Sequence, residues 1–76
     1  MKDRLAQILA DTLGLPLSAI PADASMNNIA QWDSIAHLNL VMSLEQEFNV
    51  QFNAEEMIAL DSLPAMQEAL ALRGIA

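Results

Sequence analysis

Asp33 and Ser34 stand next to each other at the point where the apolar pattern predicts that a helix begins. A serine in this position most often caps the helix by accepting a hydrogen bond from a backbone N–H group. Aspartate caps equally well, and the helix dipole favours its negative charge. If Asp33 is the cap, the Ser34 hydroxyl is free in the first turn. A phosphate attached there would lie beside the N–H groups of the helix start. The position alone is compatible with both roles.

The chain offers little other chemistry. It has no cysteine and a single histidine, His37, which we expect to be half-buried in the core. A catalytic triad needs a nucleophile, a base and an orienting acid, and this combination is missing. There is no glycine-rich phosphate loop, and the acids at 45, 47, 55 and 56 lack the twelve-residue spacing of a calcium loop. We therefore expect no catalytic residues, no metal site and no independent enzyme activity.

The helix that follows Ser34 has two apolar faces. With about 100° between successive residues, Leu38, Met42 and Glu45 lie on the side of Ser34, and Ile35 lies at its edge. His37, Leu40, Leu44 and Phe48 gather on another side, which can line a core, and Val41 lies between the two groups. An exposed apolar patch bordered by acids is typical of a protein-docking surface. We predict docking through six residues: Ile35, Leu38, Met42, Glu45, Glu55 and Glu56.

Signals for helix ends divide the chain into four helices, expected at about 2–13, 34–48, 54–60 and 63–73. Gly14 ends the first helix, Asn53 and Glu56 form a capping box, and Pro64 follows the cap of the last helix. The connection from 14 to 33 is expected to be an ordered crossing with a short turn near Ser18. Its apolar side chains should hold it to the core: Leu15, Leu17, Ile20, Met26 and Ile29. The predicted fold class is all-α, a single domain of residues 1–76. It is a small four-helix bundle with a long loop between helices 1 and 2 and a short third helix.

The charge distribution limits the partners. The net charge is −7, and no Lys or Arg occurs between residues 5 and 72. Nucleic acids and anionic membranes would be repelled, since phosphate contacts need basic side chains. Basic protein surfaces would be attracted. The absence of a long apolar stretch predicts no membrane span, and the absence of cysteine fits a reducing compartment. We expect a cytoplasmic monomer.

The segment "DSIAHLNLVMSLEQEF" resembles the attachment segment of acyl carrier proteins, in which Asp-Ser-Leu opens the second helix. The helix order, the long loop, the "NAEEM" turn, the length and the acidity resemble that family over essentially the whole chain. The resemblance implies that Ser34 receives phosphopantetheine from coenzyme A and that Asp33 assists the phosphopantetheinyl transferase and its magnesium. It also implies that acyl groups travel as thioesters on the arm. The implied partners are that transferase and acyl-loading and acyl-processing enzymes with basic docking surfaces.

This chain departs from the family pattern at several positions. Ile35 replaces the usual leucine, and Trp32 stands where a small residue is common. Ala36, Asn39 and Gln46 stand where carrier proteins of fatty acid synthesis often have acids. The docking helix is therefore less acidic than in the fatty-acid type. This difference favours a carrier of a specialised pathway, whose cargo the sequence does not identify.

Two alternatives remain open from the residues alone. The first is an unmodified helical adaptor that binds partners through residues 35, 38 and 42 and uses Ser34 as a cap. The second concerns the attachment site, because "DSL" at 61–63 matches the family triplet more literally than "DSI" at 33–35. We predict that Ser62 only caps the last helix, because Pro64 follows it in the first turn.

Overall fold

The computed structural model describes residues 2–75, so the two ends of the expected domain, residues 1 and 76, lie outside the described residues. It contains four α-helices: α1 Lys2–Leu13, α2 Ser34–Phe48, α3 Ala54–Ala59 and α4 Leu63–Leu72. A short 3₁₀ turn, Leu17–Ala19, lies in the connection between α1 and α2. Within residues 2–75 there is no strand beyond an isolated bridge between Ser25 and Ser62. The predicted all-α fold, with its long first connection and short third helix, is confirmed.

Side chains from α1, α2 and α4 form the centre of the core. Leu5, Leu9 and Leu13 of α1 are buried at the spacing of one helix face, and α1 packs against both α2 and α4. The partners that these leucines meet are apolar residues at core spacing: Leu40, Val41 and Leu44 of α2, and Leu63, Met66 and Leu70 of α4. Because the chain has no cysteine, burial of these side chains is the main source of its stability.

Residues in the left-handed backbone region end three of the helices. Gly14 has φ 70° and follows α1, and the Leu15 amide donates to the Ala10 carbonyl at 2.9 Å. Gly74 has φ 77° after α4, and Asn49 has φ 54° after α2. Glycine takes this conformation without steric cost, and asparagine is the next most tolerant common residue. Each of these residues therefore stops its helix and turns the chain back toward the core.

The connection from 14 to 33 is an ordered crossing tied to the start of α4. The Leu63 amide donates to the Ala24 carbonyl at 2.8 Å, and the Met26 amide donates to the Asp61 carbonyl at 3.0 Å. The exposed Asn28 side chain holds the loop locally, since it accepts from the Ser25 amide and donates to the Asp23 carbonyl. These bonds fix the loop at residues 23–28, and the buried Ile29 and Trp32 hold the part that leads to Ser34.

One predicted anchor of this loop was wrong. Leu17 is 47% exposed, because all three residues of the 3₁₀ turn lie at the surface. Ile29 is buried, and Leu15, Ile20 and Met26 pack partly buried against the core as predicted. Two further loop residues that the apolar pattern did not single out, Ala24 and Trp32, are also fully or almost fully buried.

Candidate functional site at the start of helix α2

Asp33, not Ser34, caps α2. The Asp33 backbone is extended, and its Oδ1 accepts a hydrogen bond from the Ala36 amide at 2.8 Å. Ser34 is the first residue inside the helix, and its side chain is exposed. The cap interaction is therefore supplied by the neighbouring carboxylate. The Ser34 hydroxyl is presented to solvent at the positive end of the helix.

The geometry around Ser34 fits a phosphodiester. The His37 amide donates to the Asp33 carbonyl at 2.8 Å and begins the helical hydrogen-bond ladder, while the Ala36 amide is used by the cap. In an α-helix the amides of the first residues have no partner inside the helix, so those of Ser34 and Ile35 remain as donors. A phosphate bonded to the Ser34 oxygen would lie within reach of these donors.

The apolar side chains beside Ser34 are exposed, as their spacing predicts. Ile35 is 72% exposed, Leu38 52% and Met42 56%, whereas the neighbouring Leu40 and Leu44 are completely buried. One apolar face of α2 thus packs into the core, and the other is exposed to solvent. A row of large apolar side chains in water is unfavourable unless another surface covers it for part of the time.

Ile58 of α3 extends this exposed surface and was not predicted. It is 75% exposed, and the side chains of α2 and α3 line a groove of about 470 Å³ that reaches Ser34. Seven residues line the groove: Met26, Ser34, His37, Leu38, Ala54, Met57 and Ile58. The sequence did contain a signal, because Met57 and Ile58 are adjacent in a six-residue helix and point in different directions. Of the two, Met57 packs partly buried against the core and Ile58 lies at the surface.

Trp32 and His37 form a hydrogen-bonded link behind the site. Trp32 is 2% exposed, and its indole Nε1–H donates to His37 Nδ1 at 3.0 Å. On the other side of the imidazole, Nε2 lies 2.6 Å from the Met57 carbonyl oxygen of α3. His37 is half-buried, as predicted. Trp32 precedes the cap and His37 is the fourth helical residue, which is the spacing of a hydrophobic staple. That spacing could have predicted the pair from sequence.

The predicted docking acids differ in how strongly the protein itself engages them. Glu45 is half-buried and its Oε2 accepts from the Phe52 amide at 2.9 Å. Glu56 completes the capping box with Asn53 and pairs with Arg73 at 2.7 Å, and the pKa of its carboxyl is lowered by both interactions, most by the Asn53 backbone hydrogen bond. Glu55 is exposed beside them. The sequence predicted the capping box of Glu56, but it did not predict the Arg73 partner, which is 17 residues away, or the bond between Glu45 and the Phe52 amide beyond the end of α2.

Ser62 is half-buried and engaged as a cap. Its hydroxyl accepts from the Ala65 amide at 3.1 Å and begins α4, with Pro64 in the first turn. The backbone bridge to Ser25 also lies at this residue. The second Asp-Ser pair of the chain thus has its serine in the structural role that Asp33 has at α2.

Residues 3–70 match the family model described as "Phosphopantetheine attachment site". The chain belongs to this family. It is 30% identical over 76 residues to "Acyl carrier protein 3" of Ralstonia nicotianae, covering 95% of this chain and 87% of that protein. It is 29% identical over 69 residues to "Polyketide-8 synthase acyl carrier protein 2" of Streptomyces avermitilis, covering 91% of this chain and 79% of that protein.

Family membership confirms the predicted cofactor and the predicted class of protein. The group that the family attaches is phosphopantetheine, and its members are carriers, not enzymes. A phosphopantetheinyl transferase and biosynthetic enzymes are the partners that this family implies. Among residues 2–75, no helix combines the length and apolar character needed to cross a membrane. The same part of the chain holds no cluster of three or more side chains suited to binding a metal ion.

Proposed function

We propose that this protein carries acyl or aminoacyl intermediates as thioesters on a phosphopantetheine arm attached to Ser34. The observation that supports Ser34 most directly is the division of roles with Asp33. Asp33 caps α2 through the Ala36 amide, so the exposed Ser34 hydroxyl is available as a nucleophile. Ser62, the other candidate, uses its hydroxyl as a cap and is half-buried.

The residues of the chain have simple tasks in this proposal. The Ser34 oxygen would give up its proton and bond to the phosphorus of the phosphopantetheine half of coenzyme A, while the pyrophosphate P–O bond breaks and the nucleotide half leaves. The first amides of α2 would stabilise the negative charge of the resulting phosphodiester. One Asp33 oxygen holds the cap. The carboxylate would also assist the transferase and its magnesium, the role that the family resemblance implies. When attached, the group supplies a thiol for thioester formation. The chain itself has no cysteine that could do so.

The exposed residues around Ser34 are the proposed docking surface. Ile35, Leu38 and Met42 of α2 supply its apolar centre, and we add Ile58 of α3 because it borders the same groove. Glu55 supplies charge at the edge, with smaller contributions from Glu45 and Glu56, whose carboxylates already have protein partners. We propose that the partners meet this surface with apolar side chains bordered by basic ones, and that the carrier is a monomer.

The proposed pathway is a specialised one. Ala36 and Asn39 lie in a part of the docking helix, residues 34–44, that contains no acid, and Gln46 separates Glu45 from Glu47 near its end. One relative by name is a polyketide synthase carrier, which accords with this proposal. Enzymes that recognise a strongly acidic α2 would gain little from this surface, since few charges are present for them to pair with.

Incubation with a phosphopantetheinyl transferase and coenzyme A tests the proposal. The full chain should gain the mass of one arm, and peptide mapping should place it on the peptide that contains Ser34. Ser34→Ala should remain unmodified, and the matched variant Ser62→Ala should be modified as the wild type is. A modification found on Ser62 would refute the site. If several broad-specificity transferases all leave the wild type unmodified, the unmodified adaptor becomes the better hypothesis.

A further inference from the structure

The short helix α3 buries little of its own surface, although Phe52 before it and Leu60 after it lie in the core. It has six residues, and none of them is fully buried. Its ion pair between Glu56 and Arg73, the residue that follows α4, joins two partly exposed side chains, and pairs of this kind contribute little to stability. A segment with little buried apolar surface opens more easily than the rest of a domain. Between the buried Phe52 and Leu60, the position of α3 therefore depends on the packing of Met57 and on the individual bonds that reach the helix.

One such bond comes from the interior of the site. The Met57 carbonyl of α3 lies 2.6 Å from Nε2 of His37, and His37 Nδ1 lies 3.0 Å from the Trp32 indole nitrogen. An indole N–H only donates and a carbonyl only accepts. Hence Nδ1 must be the acceptor and Nε2 must be the donor, and this arrangement satisfies both partners. The loop end, α2 and α3 are joined through this imidazole.

We propose that His37 is a positioning residue that holds α3 against the start of α2 and so sets the relation between Ser34 and Ile58. His37 and Met57 both line the groove that reaches Ser34, which places the bond between the attachment residue and the α3 part of the docking surface. A partner that contacts both helices binds only the arrangement in which they are correctly spaced. The inference rests on the proposed attachment at Ser34.

Two substitutions of similar character separate this role from a merely local one. His37→Gln places an amide N–H at the ε position, where it can still reach the Met57 carbonyl. His37→Asn places an oxygen at the δ position, where it can still accept from Trp32. His37→Phe removes both bonds and keeps a ring. If the bond from His37 to the Met57 carbonyl positions α3, phosphopantetheine transfer should be near wild type in His37→Gln and impaired in His37→Asn, as in His37→Phe. If His37 acts only through its bond to Trp32 at the start of α2, His37→Asn should be near wild type and His37→Gln should be impaired.

The measurements are the kinetics of phosphopantetheine transfer and NMR of the full chain. We expect His37→Phe and His37→Asn to raise the KM for the carrier about fivefold, the effect of one net hydrogen bond, with kcat within about twofold. In these variants only a minor population would have α2 and α3 correctly spaced, and the transferase would bind that population. The KM therefore rises, whereas kcat does not fall, because the bound carrier has the wild-type arrangement. His37→Gln should lie near the wild-type KM. Amide exchange at Leu60, which donates to carbonyls in α3, should quicken in the Phe and Asn variants and not in Gln.

The remaining outcomes overturn the inference. Wild-type KM in all three variants, or rescue by Asn and not by Gln, would limit His37 to stapling the helix start. The single tryptophan gives one indole N–H resonance, which shows whether the Trp32 bond persists in each variant. If the wild type is not modified on Ser34, the proposed function fails together with the positioning role. That failure is recognised in the wild-type control, before any variant is compared.

Discussion

At the scale of single residues, Asp33, Ser34 and Ser62 show how one pair of residue types takes different roles. At α2 the aspartate caps and the serine is free, whereas at α4 the serine caps. The difference follows from position, because Ser34 lies inside the first turn of α2 and Ser62 lies just before the first turn of α4. From the sequence alone, Ser34→Ala could have reduced the free energy of unfolding by as much as the loss of a helix cap. The geometry lowers this expectation.

The first prediction compares these residues by their stability. Ser34→Ala should change the free energy of unfolding by no more than about 0.5 kcal/mol, as for an exposed residue with no cap role. Asp33→Ala and Ser62→Ala should each reduce it by about 0.5–2 kcal/mol, the range for loss of a cap. Urea denaturation followed by circular dichroism measures all three. A Ser34→Ala loss equal to that of Asp33→Ala would show that the two residues share the cap.

A second prediction concerns the pH dependence that Glu56 contributes. The Asn53 backbone hydrogen bond and Arg73 lower the pKa of this carboxyl, so the folded state favours its charged form. The contribution to stability is therefore fully present above the ordinary carboxyl pKa and disappears as the pH falls through the folded-state pKa. The stability difference between wild type and Glu56→Gln should be larger at about pH 7 than at about pH 3. A difference independent of pH would mean that the carboxyl has the same pKa in both states.

At the scale of elements, α2 combines a core face with an exposed face, and the third prediction tests this division. Leu38→Glu should keep the helical content and slow modification, because Leu38 is exposed beside Ser34. The matched change two residues later, Leu40→Glu, should unfold much of the protein. Loss of a buried leucine alone removes about 2–5 kcal/mol, and the carboxylate would add its desolvation. Circular dichroism and the transfer rate are the measurements. Unfolding of Leu38→Glu would exclude the docking role.

At the scale of the whole molecule, both arginines form ion pairs within the protein. Arg4 pairs with Glu47 and lies over the Phe48 ring, and Arg73 pairs with Glu56 and lies 4.7 Å from the Phe52 ring centre. Each joins an end of the chain to the middle of the bundle. The pairs also neutralise part of the acidic surface locally, so the remaining field near the docking surface depends more on the exposed Glu55.

The fourth prediction concerns the salt dependence of partner association. Association should weaken as salt rises, because the screening length is about 8 Å at 0.15 M ionic strength. Glu55→Gln should reduce this dependence more than the matched variant Glu47→Gln, whose carboxylate has an arginine beside it. Association rates with the transferase at several salt concentrations measure the effect. Association that does not vary with salt in the wild type would assign recognition to the apolar residues alone.

The amino-acid pattern by itself determined the helical fold, because its signals are local. The apolar spacing of Leu5, Leu9 and Leu13, the capping box of Asn53 and Glu56, and the glycines after α1 and α4 act within one or two turns of helix. The same local logic predicted that two faces of α2 are apolar. The loop was harder to predict, since its apolar residues follow no period, and Leu17 was wrongly expected to anchor it.

Only the tertiary structure decided which of these groups are engaged and which are free. Either Asp33 or Ser34 could have been the cap, and only the hydrogen bond to the Ala36 amide distinguishes them. The contacts of His37 with Met57 and of Glu56 with Arg73 join residues 20 and 17 positions apart. Such contacts depend on how the helices pack, and local spacing carries no information about them. The free Ser34 hydroxyl and the bond between His37 and the Met57 carbonyl are therefore properties of the fold.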